Sequence, residues 1–226
     1  MSANIPYIIC SILSFLPAIV CHEVMHGFAA HKLGDPTAKD AGRLSLNPVK
    51  HIDPFGTVIL PAMLILANGP VFGYAKPVPY NPRYFKDPRK GDLIVGLAGP
   101  AANLVLALLG AGLAWALWPV AQGSGLDNDL FLYFYALFLP LFTLINLYLM
   151  FFNLLPIPPL DGSSIFAFIL PERFLPGYYK IQQYSFPIFL VIVIGLPYLL
   201  GVNPVSLYLR ATAGNIANLV FPFAIG

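Results

Sequence analysis

Charge is scarce in this sequence. Only 10% of its 226 residues are Asp, Glu, Lys or Arg, against about 25% in an ordinary soluble domain. With 58% hydrophobic residues and a mean hydropathy of +0.76, that scarcity excludes a disordered chain and argues against a soluble globular domain. An excess of one sign is missing too. Twelve Lys+Arg against ten Asp+Glu leave a net +2, so no nucleic-acid partner is expected. Cysteine is nearly absent, and Cys10 and Cys21 share one apolar run, which rules out a disulfide framework. No Gly-x-Ser-x-Gly occurs, so a serine nucleophile elbow has no support. Proline is plentiful, with 23 residues, about twice the usual share. An apolar chain so rich in proline points to broken helices inside a membrane, where irregular backbone survives only in a protein interior or cavity.

The charge-free runs are 1–21, 54–75, 93–126, 130–160 and 181–209. A spanning helix needs roughly 20 apolar residues. Residues 93–119 and 130–152 suffice for one span each, and 185–200 is shorter. The first segment, 5–30, is long enough if it admits Glu23. It does not read as a signal peptide, because no basic region precedes it. Nine of the 12 basic residues fall in two loops, Lys32 to Lys50 and Lys76 to Lys90, whereas the loop at 120–129 carries only Asp127 and Asp129. The positive-inside rule places both basic loops in the cytoplasm. Residues 54–75 then read as a re-entrant or interfacial hairpin, the alternative being a short true span. The apolar tail after Pro204 is ambiguous. The expectation is an all-α polytopic membrane protein forming one domain over residues 1–226. It has about four to six transmembrane or re-entrant helices with small β strands on the cytoplasmic side. Without an organelle-targeting pattern, a prokaryotic plasma membrane is the expected location.

Inside the first apolar segment stands His22-Glu23-Val24-Met25-His26, an H-E-x-x-H pattern. On a helix the two imidazoles are one turn apart on one face and can reach a single metal. Glu23 can stand beside a metal-bound water and take its proton. Two His and a Glu at the end of a span are costly unless they act together; the bland alternative is an interfacial helix end. A catalytic zinc has three protein ligands and an open position. His31 follows His26 by five residues and misses the metzincin spacing of six. Glu172 sits beside Pro171 in an expected loop. Asp161 is the strong candidate, because no other charged residue lies between Leu130 and Leu170. Its alternative role is a helix N-cap.

The chain resembles the site-2 protease family of intramembrane zinc metalloproteases. The resemblance rests on His22-Glu23-Val24-Met25-His26 and on Asn153-Leu-Leu-Pro-Ile-Pro-Pro-Leu-Asp-Gly162, with Gly99-Pro100-Ala-Ala-Asn103 as a third piece. It covers roughly residues 15–170 and looks like the compact prokaryotic branch without a PDZ domain. It implies one Zn2+ per chain held by His22, His26 and Asp161, with Glu23 as general base and Asn153 contacting substrate or oxyanion. A buried Asn could equally bond a neighbouring helix. The implied activity is hydrolysis of peptide bonds in transmembrane protein or peptide substrates, within or near the lipid bilayer. Arg43 to Leu46 and Tyr74 to Pro79 are candidate strands for holding such a substrate extended, or plain surface loops. The rival reading is a zinc-binding transporter or channel without proteolysis.

Overall fold

The computed structural model describes residues 5–59, 63, 75–123 and 128–223. Three helices in it are long and apolar enough to cross a membrane: α1 (Ile5–Lys32), α2 (Pro88–Gln122) and α3 (Asp129–Asn153). A short helix α4 (Gly162–Ile169) follows. A bent pair comes next, α5 (Glu172–Gln182) and α6 (Ser185–Leu200), meeting at 77°. The tail at 204–220 is helical throughout.

The residues that form α1 also dictate how it packs. Its buried positions include Cys10, Ser14, Ala18, His22, His26 and Ala30, one every fourth residue. That period draws a single stripe down one face, while Ile9, Ile12, Leu13 and Leu16 are exposed and lipid-facing. In α2 the stripe is almost wholly small: Gly96, Gly99, Asn103, Ala107, Ala111 and Ala114 are buried. Small residues let backbones approach where lipid offers no hydrophobic drive between helices. Accordingly, α2 lies against both α1 and α3. The tail closes against α3 by the same device, Ala213 and Ala217 packing with Leu147 and Met150. Trp115 Nε1 donates to the Val220 carbonyl at 2.8 Å.

Helix starts follow local chemistry. Asp87 caps α2 by accepting from the Arg89 and Lys90 amides, with Pro88 in the first turn. Asn128 caps α3 through the Phe131 amide. Beyond α3 the chain turns back on itself and enters α4 at Gly162. A Cβ there would stand 2.3 Å from the Leu154 carbonyl oxygen, so only glycine fits this return. The turn delivers Asp161 to the end of the bundle where α1 finishes and α2 begins. The N-terminal end of α2 is fastened to α4 by Arg89, whose guanidinium donates to the carbonyls of Ala167, Phe168 and Leu170.

The expected β strands are corrected: among the described residues there is no β-strand. Residues 75–80 have no regular secondary structure, and Pro77 and Pro79 have no N–H to offer a ladder. The Lys76 amide donates to the His51 carbonyl at 2.9 Å, and the Arg43 guanidinium, not its backbone, reaches the Lys76 carbonyl at 2.6 Å. The two segments are therefore neighbours joined by a side chain. The hairpin expected at 54–75 lies mostly outside the described residues, apart from a π-helical turn at Pro54–Ile59.

Candidate metal centre

His22 and His26 lie on the buried stripe of α1, 5% and 8% exposed. At 1.5 Å per residue they sit about 15 and 9 Å from its end at Lys32. Their rings meet edge to face at 85° with Nε2 atoms 3.0 Å apart. Asp161 Oδ2 stands 3.1 Å from His22 Nε2 and 3.3 Å from His26 Nε2. This is the only group of three His, Cys, Asp or Glu with converging ligand atoms among the described residues.

Hydrogen-bond partners decide what these atoms offer. His26 Nδ1 lies 2.7 Å from the Val95 carbonyl, which only accepts, so the proton is on Nδ1. His22 Nδ1 lies 2.6 Å from Asn103 Oδ1. The Asn103 amide is oriented by its nitrogen, which donates to the Ala18 carbonyl at 3.1 Å and to Asn146 Oδ1 at 2.9 Å. Asn146 in turn donates to the Phe142 carbonyl at 2.8 Å. The chain of bonds runs one way, and it makes His22 an Nδ1 donor as well. Both Nε2 atoms therefore present lone pairs, and Asp161 Oδ2 presents a third. Three acceptors converge with no donor among them, and Asp161 Oδ2 is buried without a hydrogen-bond partner. That arrangement is repulsive unless a cation enters it.

The spacing fits zinc. Tetrahedral ligands at about 2.05 Å stand about 3.3 Å from one another, against the 3.0–3.3 Å found. Carbonyl and amide oxygens behind the two imidazoles are the usual support for metal-bound histidine. With one carboxylate ligand and Glu23 alongside, a divalent ion would leave the set neutral, which a low-dielectric interior tolerates. Gly99 makes the close approach possible. A Cβ there would fall 2.4 Å from His26 Nε2 and 2.6 Å from His22 Cε1.

Glu23 lines the same cavity of about 630 Å³, and so do Asn153 and Asp161. Its Oε2 accepts from the Val78 amide at 3.0 Å, the one N–H between Pro77 and Pro79. The segment carrying Val78 is tied at its far end by Asp35, whose Oδ2 accepts from the Asn81 amide at 2.6 Å. Burial works to raise the Asp35 carboxyl, but hydrogen bonds from Thr37 and Asn81 outweigh it and hold the group below its ordinary value.

All five residues singled out from the sequence thus meet at one cavity. Asp161 occupies the N-cap position of α4, yet its side chain caps no amide; its carboxylate turns to the histidines instead. Asn153 donates to the Leu149 carbonyl of its own helix at 2.9 Å. Glu172 is exposed in a single 3-10 turn. The roles of Asn103, Asn146, Gly99 and Val78 were not legible locally. The available signals were the Gly99-to-Asn103 piece of the resemblance, which assigned no role, and the two asparagines themselves, polar groups inside apolar spans that need partners.

A His-His-Asp donor set converging between apolar spans is one that could hold a metal ion inside a membrane protein. Comparison with known proteins agrees. The model of Peptidase family M50 matches residues 127–196. YwhC of Bacillus subtilis, provisionally named a zinc metalloprotease, is 40% identical over 195 residues, spanning 84% of this chain and 80% of that one. Rip2 of Mycolicibacterium smegmatis, named in the same provisional way, is 33% identical over 81% of this chain and 66% of its own. Rip2 of Mycobacterium tuberculosis is 32% identical over 68% and 54%. No solved structure matches significantly. The chain belongs to peptidase family M50, the site-2 protease family, and is an intramembrane zinc metalloprotease. The resemblance carried by the two motifs is borne out.

Proposed function

We propose that His22, His26 and Asp161 hold the zinc and that Glu23 is the general base for hydrolysing peptide bonds of transmembrane substrates in the plasma membrane. The observation that carries this reading is the convergence of three acceptor atoms 3.0–3.3 Å apart beside a carboxylate in one cavity. Zinc, when bound, supplies Lewis-acid activation of water and of the scissile carbonyl.

The chain's own residues do the rest. The Val78 amide holds Glu23 Oε2, which leaves Oε1 to take the proton of the attacking water. Glu23 then returns that proton to the leaving amine. Asn153 keeps a second amide N–H free of its bond to Leu149 and lines the cavity; it donates to the oxyanion. The charge-poor spans wall one side of the cavity and lower the dielectric in which these interactions act. A substrate helix has its carbonyls hydrogen-bonded, so its cleaved segment must enter unwound. The proline-rich segment at 75–80 lies beside Glu23 and guides that segment.

The test is metal content per chain of detergent-purified protein, alongside cleavage of a transmembrane reporter. Wild type carries one zinc, Asp161→Ala loses it, and Glu23→Gln keeps it while losing cleavage. Full zinc in Asp161→Ala would remove Asp161 from the site.

A further inference from the structure

One charged group in the cavity has no task in this scheme. Asp92 stands on α2 one turn before Val95 and Gly96, on the face that supports the metal centre. Asp92 and Tyr80 both line the cavity. The Tyr80 hydroxyl donates to Asp92 Oδ1 at 2.6 Å, and its ring stacks on the buried Phe85, 6.2 Å between centroids. Burial and the adjacent Asp92 carboxylate push the Tyr80 phenol up, so it remains a donor. The carboxylate is thereby held in one orientation with its second oxygen left over. Among the described residues no lysine or arginine lines the cavity, and none forms an ion pair with Asp92.

The charges then do not close. Asp161 and Glu23 balance a divalent ion, which leaves Asp92 as a surplus negative charge in a partly enclosed space. Such a charge is costly unless a cation meets it. The cavity also lies at the end of the bundle where the basic loops gather. A transmembrane substrate presents its own lysines and arginines on that side of the membrane, by the rule that orients this chain.

We propose that Asp92, held by Tyr80, is a specificity subsite that receives a Lys or Arg side chain from the cytoplasmic flank of the substrate. This rests on the zinc-protease reading and adds a recognised side chain to it. Asp92 makes one charge-assisted hydrogen bond to the incoming cation. Substrates with an apolar or acidic residue at that place bind less well, the acidic one worst.

Peptidyl hydroxamates test this without a known substrate, because the hydroxamate anchors on zinc whatever its side chains. Three ligands are made at each position flanking the anchor, identical except for Lys, norleucine or Glu. Their affinities are measured on the zinc-loaded full chain, with zinc content determined in parallel. At one position the Lys ligand binds about tenfold tighter than norleucine, the scale of one hydrogen bond to a charged group. Asp92→Asn removes that preference while keeping its zinc, and Tyr80→Phe weakens it. Equal affinity for Lys and norleucine at every position overturns the subsite, as does a preference that survives Asp92→Asn. A wild type that holds zinc but binds none of the hydroxamates, or that holds no zinc, sinks the metalloprotease reading first and this proposal with it.

Discussion

Gly99→Ala tests the geometry of the metal centre with a single methyl group. The added carbon would lie 2.4 Å from His26 Nε2 and 2.6 Å from both His22 Cε1 and His26 Cε1. Ordinary contact needs about 3.5 Å, so a gap of about 1 Å must open. Retreat of α2 by that amount would stretch the Asn103–His22 and Val95–His26 bonds from 2.6 and 2.7 Å to about 3.6 Å, beyond hydrogen-bond range. If the imidazoles move instead, they leave ligand positions that tolerate only about 0.2 Å. Either way zinc affinity falls by at least about 100-fold, or about 2.7 kcal/mol. The helix itself is not weakened, since alanine favours helix over glycine by about 1 kcal/mol. Gly112→Ala on the same helix is the control, because a Cβ there meets nothing within 4 Å. Zinc retention is measured by competition with a chelator of known affinity. Wild-type affinity in Gly99→Ala would refute the close approach of α2 to the two histidines, and with it the positioning argument.

Other perturbations separate the parts of the site. Asn103→Leu leaves His22 Nδ1 without an acceptor and lowers zinc affinity by about 10–100-fold, read by the same competition; unchanged affinity would mean that another group orients His22. Glu23→Gln keeps one zinc per chain and slows reporter cleavage by about 10²- to 10⁴-fold; retained cleavage would remove Glu23 as the base. Stripping zinc lowers the unfolding temperature in detergent, and added zinc restores it in a concentration-dependent way; no shift would deny that the metal joins the helices. Asp35 sets an acid limit. Its carboxyl is depressed in the folded state, so its contribution is complete above its unfolded value near about 3.9 and is lost as pH falls below that. The protection factor of the Asn81 amide, which allows for the slower intrinsic exchange in acid, should fall from neutral to acid buffer, and should not change with pH in Asp35→Asn.

The spans were legible because a charge-free run is a direct reading of what lipid tolerates. The boundaries were less so. The sequence places the second full span from Leu93, yet α2 starts at Pro88. Arg89, Lys90 and Asp92 end a membrane segment but not a helix, and Asp87 with Pro88 starts one. The strand expectation failed at Pro77 and Pro79, whose missing donors leave the segment without a ladder. At the site, His22, Glu23 and His26 were legible because their relation is local, one helical turn. Asp161 was legible by scarcity, as the lone charge in its stretch. Asn103, Val78 and the Tyr80–Asp92 pair act across 81, 55 and 12 residues of chain, and no periodicity encodes those meetings.

The order of the proposed ligands along the chain bears on when this protease becomes dangerous. Both histidines belong to α1, whereas Asp161 follows only after α2 and α3 have been made. The Asn103–Asn146 bond that fixes His22 also needs all three helices packed. A nascent or half-inserted chain thus carries two histidines without the carboxylate or the support that completes the donor set. On the proposed ligand set, hydrolytic competence arrives together with the finished bundle, and the membrane is spared a loose zinc hydrolase while the enzyme is still being built.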